Sequence, residues 1–281
     1  MSDEVPVAQW IERAPPERET AGSSPVGDAF MLIEVMKTQK IRAGDDLYKI
    51  LDMSLPQLEE KSIVVIASNI IGICQNNVVK NDGTINLREL IKNEADYYYE
   101  DERLDEKFGI LIPTIKKDIL IANAGVDESN ADGYFVLWPQ NLQQTTNEIW
   151  EYLRKKQNVQ SVGVIVSDSR LVPLRTGTLG VGISWCGFSA VYDYIGRPDI
   201  FGRKLQMTKA SILDGLAASA VLLMGEGDEQ TPLAVIADIP FVQFQNRSPT
   251  QEEISAMNIP IEFDIFGKML TTVNWEKGGK S

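Results

Sequence analysis

Apolar positions along this chain gather into short continuous runs separated by polar, glycine-rich segments. The runs at residues 62–67 (Ser-Ile-Val-Val-Ile-Ala) and 162–166 (Val-Gly-Val-Ile-Val) predict strands buried on both faces, because β-branched residues follow one another without polar alternation. Residues 32–35 and 232–237 predict further strands, and residues 108–113 and 118–122 a pair turning around Lys116 and Lys117. Residues 145–156 carry Ile149, Trp150 and Leu153 on one face of an amphipathic helix. Residues 87–102 predict a second helix, with Leu87, Leu90, Ile91 and Ala95 inward and Tyr97 to Tyr99 at its end. Residues 45–51 suit a short helix begun by an Asp cap, after a turn over residues 38–44. Residues 209–224 predict a helix with a small-residue face (Ala217, Ala218, Ala220). The stretch 177–194, dotted with Gly177, Gly180, Gly182 and Gly187, predicts strands with close backbone approach. Helices and strands do not alternate regularly, which favours an α+β fold over a doubly wound sheet.

The first thirty residues share none of this patterning. Val7-Ala-Gln-Trp-Ile-Glu-Arg13 and Gly22-Ser-Ser-Pro25 reverse-translate to the D-arm and T-arm consensus of transfer RNA genes. Residues 1–30 are therefore expected to be a mis-assigned start or a disordered acidic tail, with translation beginning near Met31. Residues 31–250 form the expected folded domain and residues 251–281 a C-terminal extension.

Composition narrows the chemistry. The 281 residues include no histidine and carry a net charge of −13. Without imidazole there is no Ser-His-Asp relay and no His-rich zinc site. Carboxylates, hydroxyls, Lys, Arg and oxygen-loving metals must carry any reaction at neutral pH. The acidic balance argues against nucleic acid or an anionic membrane as main partner. No apolar run reaches the length of a membrane span, and a cytoplasmic location is expected. Cys74 and Cys186 stand apart in apolar surroundings, which predicts free thiols.

Three acidic motifs stand out. Asn123-Ala-Gly-Val-Asp-Glu-Ser-Asn130 follows a predicted strand, so Asp127 sits at a strand mouth, as an Asx-type turn or as a ligand. Val166-Ser-Asp-Ser169 has the same grammar, a carboxylate flanked by hydroxyls, which suits a turn or Mg²⁺. Met224-Gly-Glu-Gly227 closes a helix with Gly225 as C-cap, and Glu226, Asp228 and Glu229 there oppose the helix dipole unless a cation joins them. Gly177-Thr-Leu-Gly-Val-Gly182 lacks the strand–helix context and downstream acid of a dinucleotide fingerprint, and no Walker A sequence is present.

Taken in order, these motifs resemble the coenzyme F(420)-0:L-glutamate ligase family of gamma-glutamyl ligases. The resemblance runs from about residue 41 to 237 and includes Gly44-Asp-Asp-Leu47 and Tyr194-Ile-Gly-Arg-Pro-Asp-Ile-Phe-Gly-Arg203. It implies a homodimeric, mixed-sheet α+β fold, with two lobes in one chain and a GTP site near the subunit interface. It implies Mg²⁺ or Mn²⁺ on Asp127, Asp168, Ser169 and Glu226. It implies nucleotide contacts from Thr38, Gln39, Lys40, Ile41, Ser68, Asn130, Met224, Gly225 and Gly227. It also implies catalytic roles for Asp127, Asp168 and Arg175. The reaction implied joins L-glutamate to a small cofactor acceptor through an acyl phosphate made from GTP.

Two stretches depart from the family pattern. Members commonly carry Ser-Lys-Ala-Glu-Gly-Arg where this chain reads Gly72-Ile-Cys-Gln-Asn-Asn77, which puts Ile73 in place of the lysine. After Asp168 the usual Asn-Gly-Arg is replaced by Arg170-Leu-Val172, and the run Pro173-Leu-Arg175 that follows resembles a bacterial branch named as folate-related gamma-glutamyl ligases. The acceptor expected is thus a deazaflavin or a folate-like molecule. The alternatives are a non-catalytic nucleotide or cofactor binder and a metal-dependent nucleotide hydrolase.

Overall fold

The apolar runs 62–67 and 162–166 lie side by side in the middle of a five-stranded sheet. The computed structural model describes residues 31–239 and 241–279; the expected start near Met31 concerns residues 1–30, outside the described residues. In chain order the first elements are β1 (Leu32–Met36), α1 (Leu47–Ser54), β2 (Ser62–Ala67), α2 (Ser68–Cys74), β3 (Val78–Lys80) and α3 (Leu87–Glu94). Next come β4 (Tyr97–Tyr98), α4 (Glu102–Phe108), β5 (Pro113–Lys116), β6 (Ile119–Ala122), β7 (Tyr134–Val136) and α5 (Leu142–Gln157). Then follow β8 (Val162–Leu171), β9 (Thr178–Cys186), β10 (Val191–Asp193), β11 (Lys209–Ser211) and α6 (Ile212–Met224). The last are β12 (Leu233–Ala237), α7 (Gln251–Met257), α8 (Gly267–Leu270) and β13 (Glu276–Lys277).

The main sheet has the order β1-β12-β2-β8-β9 and is mixed: β2 and β8 are parallel, and the other pairs are antiparallel. The α+β expectation with a mixed sheet therefore holds. Each face has its own core. Val64 and Ile66 of β2 pack with Val164 and Val166 of β8 under α1, α2 and α5. Ile63 and Val65 point the other way, onto α6 with Ile165 and Ile236. Two covered faces explain why these strands read as unbroken apolar runs. Each fully buried Val or Ile contributes roughly 1.5–3 kcal/mol.

The glycines of β9 let α6 lie against it. A Cβ on Gly182 would come 2.4 Å from Leu213 Cγ, and one on Gly180 would come 2.7 Å from the Ala217 carbonyl oxygen. Ala217 and Ala220 of α6 are fully buried at this contact, whereas Ala218, expected on the same face, is only half-buried. A four-stranded sheet, β13-β4-β5-β6, and the β3–β7 pair surround a further core of Ile91, Ile112, Phe135 and Leu137. Here β13 adds the C-terminal segment to the edge at β4.

Several boundaries differ from expectation. The helix predicted over residues 87–102 stops at Glu94: Ala95 turns extended, and Tyr97 and Tyr98 pair with Ile115 and Thr114 as β4. Tertiary pairing of two aromatics overrides helical composition there. Residues 108–112 are not a strand, because Glu102–Phe108 is helical and ends on Gly109 at φ 79°. The turn between β5 and β6 does fall at Lys117 and Asp118. The cap of α1 is Asp46, whose carboxylate accepts from the Tyr48 and Lys49 amides at 2.9 and 3.3 Å. Residues 209–211 pair with β10 before Ser211 caps α6. Cys74 and Cys186 are free, as expected, and burial pushes both thiols up to about 12. Among the described residues no helix is long and apolar enough to cross a membrane.

Candidate functional site

One cavity of about 610 Å³ opens where the ends of β2 and β8 meet the β1–α1 loop, the loop holding Asp127 and the loop after α6. Its lining includes Thr38, Gln39, Lys40, Ile41, Ser68, Asp127, Asn130, Asp168, Ser169, Met224, Gly225, Glu226 and Gly227. Three sequence motifs, separated by up to a hundred residues, thus converge on one space.

Each carboxylate is fixed differently. Asn123 and Ala124 adopt left-handed backbone (φ 53° and 52°) and reverse the chain after β6, which delivers Asp127 to the cavity. Asp127 accepts from the Ser129 amide at 2.8 Å and its hydroxyl at 2.7 Å, so it does close an Asx-type turn. It also accepts from Asn69 Nδ2 at 2.6 Å. Asp168 is not in a turn: β8 continues through it to Leu171, after a bulge between Val166 and Ser167. That bulge re-aims the side chains that follow. Asp168 accepts from the Ser169 amide at 2.8 Å and from the Trp138 indole N–H. Glu226, on the loop after α6, accepts from Ser169 Oγ at 2.6 Å and Thr178 Oγ1 at 3.1 Å. Asn130 Nδ2 donates to the Gly227 carbonyl at 2.8 Å, joining two of the motifs.

Asp168 as a residue is only part-buried, because it borders open cavity, but protein packs closely around its carboxyl group. That desolvation, with smaller contributions from Asp127 and Glu226 nearby, raises its pKa to about 7 against the pull of its two donors.

Charge around the cavity is lopsided. Six carboxylates line it (Asp127, Asp132, Asp168, Glu226, Asp228, Glu229) against two cations, Lys40 and Arg42. Arg42 is held only loosely, 3.6 Å from Asp132, with both side chains largely exposed. No ion pair among the described residues engages Asp127, Asp168 or Glu226 with Lys or Arg.

The chain matches the family model described as F420-0:Gamma-glutamyl ligase over residues 35–238. It is 34% identical over 213 residues to the coenzyme F420:L-glutamate ligase of Methanocaldococcus jannaschii, covering 70% of this chain and 85% of that protein. The chain belongs to the F420-0:gamma-glutamyl ligase family. The enzyme of the same name from Methanococcus maripaludis strain C6 is 33% identical over 212 residues, 70% of this chain and 84% of its own. That from Haloarcula marismortui is 31% identical over 219 residues, 72% and 84% of the two chains.

Ile73 is buried against Ala131 and Val136 while also lining the cavity, so α2 offers no charge at that point. Gln75 and Asn77 hold the segment after β7 instead: Gln140 N donates to Gln75 Oε1 at 2.7 Å, and Asn77 Nδ2 donates to the Trp138 carbonyl at 2.7 Å.

Arg175 is not brought to the cavity. Beyond Asp168, β8 carries on to Leu171, and the turn with Arg175 lies exposed past its end, next to a fully exposed Leu174. Asn69, Arg42 and Trp138 were missed by sequence reasoning. Arg42 and Asn69 adjoin expected residues, Ile41 and Ser68, which is a usable signal; Trp138 in an apolar run before a proline gives none.

Carboxylate oxygens from all three acidic motifs border the cavity. Among the described residues no three His, Cys, Asp or Glu side chains form a ready-made protein cage. The donors facing the cavity are carboxylate and hydroxyl oxygens, the set Mg²⁺ and Mn²⁺ take when one or two carboxylates share them with water and substrate phosphates.

Proposed function

We propose that this protein is a metal- and GTP-dependent gamma-glutamyl ligase that joins L-glutamate to a carboxylate of a small deazaflavin- or folate-like cofactor. The observation that carries this reading is the charge imbalance of the cavity, six carboxylates against two cations. A nucleoside triphosphate enters such a site only together with divalent cations.

Asp127, Asp168, Ser169 and Glu226 hold the cations, and the oxygen-only set matches their chemistry. Asn130, Ser68, the turn over residues 38–41 and the backbone around Gly225 and Gly227 hold the nucleotide. Bound divalent ions supply charge neutralisation at the phosphates. Lys40 and Arg42, which also line the cavity, add positive charge. The acceptor carboxylate attacks the γ-phosphate of GTP, GDP leaves, and an acyl phosphate forms. The amine of L-glutamate then attacks the acyl carbon, phosphate leaves, and the amine proton is lost to solvent. The nucleophiles are both substrate groups, which accords with a chain that has no histidine and whose two thiols are protonated.

The protein acts in the cytoplasm as a homodimer. Ile200 and Phe201, 92% and 90% exposed on the loop after β10, fit contact with a second copy.

A second reading follows from Ile73. If the missing lysine is indispensable, the protein binds nucleotide without turnover. Phosphate release measured with GTP, Mn²⁺, L-glutamate and deazaflavin or folate acceptors separates the two. Release that requires both glutamate and acceptor supports the ligase. GTP binding without release supports the binder, and release without glutamate identifies a hydrolase.

A further inference from the structure

The Asp127 and Asp168 carboxylates reach the cavity from different elements, yet both are tied to the same three residues, 136–138. Asp127 forms a two-way backbone bridge with Val136: its amide donates at 3.1 Å and its carbonyl accepts at 2.7 Å. Two residues on, the Trp138 indole N–H donates to Asp168 Oδ2. Trp138 is 3% exposed, so its single donor has no water to turn to, and leaving it unmade would carry the full desolvation penalty.

The indole itself is clamped. One face lies on Gly125, where a Cβ would stand 2.0 Å from Trp138 Nε1. Lys116 sits 5.4 Å from the ring centroid and is buried, donating to Glu94 Oε2 at 2.9 Å and to the Ala124 carbonyl at 3.2 Å. The Trp138 carbonyl is held by Asn77. With Trp138 on Oδ2 and the Ser169 amide on Oδ1, each Asp168 oxygen keeps a lone pair for a further partner.

We infer that Trp138 is a positioning residue of this site, the side chain that fixes the Asp168 carboxylate relative to Asp127 so that both face one cation. This inference rests on the metal-dependent reading above. Partners that orient a ligating carboxylate typically change metal affinity about 10–100-fold when removed. Trp138→Phe removes the N–H and with it the pyrrole half of the ring that lies on Gly125, so its packing cost is read separately from the urea midpoint.

The test uses the full chain. Calorimetry measures binding of Mg·GTP, and of GTP with chelator present, to the wild type and to Trp138→Phe, with urea midpoints recorded for both. The expected result is Mg·GTP affinity lowered about tenfold or more in the variant, with no GTP binding to either protein in the presence of chelator, and a urea midpoint lowered by the smaller ring but a variant still folded under the binding conditions. Mg·GTP affinity in the variant equal to that of a wild type that binds would overturn the positioning role alone. A wild type that ignores Mg·GTP would overturn the metal reading itself, and the inference with it. Should Trp138→Phe fail to fold, wild-type protein with labelled indole nitrogens decides. One of the five indole signals must shift on adding Mg·GTP and must be displaced in Asp168→Asn; five unmoved signals overturn the inference.

Discussion

At the scale of single residues, Asp168 concentrates the tension in the site. Desolvation raises its pKa from 3.8 to about 7. A carboxyl whose folded-state pKa lies above its unfolded value keeps a proton that the unfolded chain has shed. The metal-free protein should therefore lose stability as pH rises from about 4 to about 7, then level off. Asp168→Asn should remove that slope in melting temperatures measured across this window. A divalent cation competes with the same proton, so Mg²⁺ should stabilise the wild type more at pH 8 than at pH 6. A stabilisation independent of pH would place the cation elsewhere. Glu253 shows the opposite sign. Arg247 grips both its oxygens, at 2.6 and 2.8 Å, and holds its pKa down to about 2. Its contribution is present above about pH 4.5 and is lost as pH falls toward 2, and Arg247→Ala should flatten the acid limb of the unfolding curve.

At the scale of elements, α6 packs on β9 with no room for a side chain at Gly180 or Gly182. Gly182 lies against the buried Leu213 side chain, and a Cβ there requires that side chain or its helix to shift. Gly182→Ala should cost about 1–3 kcal/mol by overpacking. It should also weaken Mg·GTP binding, since α6 ends in the loop that carries Glu226. Gly215→Ala, which meets nothing within 4 Å, is the control; unfolding midpoints equal for the two variants would contradict this packing. Elements also show what was legible in the chain. Buried runs such as β2 and β8 announce themselves, because both faces of the sheet are covered and no polar residue is tolerated. Tyr97 and Tyr98 do not, because their strand exists only through pairing with β5 and β13. The site divides the same way. Asp127, Asp168 and Glu226 stand out by their glycine and serine neighbours, whereas Trp138 acquires its role only when strand β8, thirty residues on, brings Asp168 beside it. Asp168 itself was misplaced in a turn, because a bulged strand and a turn share Ser-Asp-Ser chemistry.

At the scale of the whole molecule, two features carry predictions, the lopsided cavity and the exposed Ile200 and Phe201. The dimer proposed above should depend on Ile200 and Phe201, and a Phe201→Glu variant should elute as a monomer where the wild type does not. Equal elution volumes would remove this loop from the interface. The central claim is that phosphate leaves GTP on the way to an amide. Its most direct test is phosphate release run in heavy-oxygen water with Mn²⁺, L-glutamate and a deazaflavin or folate acceptor. The account predicts phosphate that carries no solvent oxygen and that appears only when glutamate is present. Phosphate bearing one solvent oxygen, released at the same rate without glutamate, would contradict it.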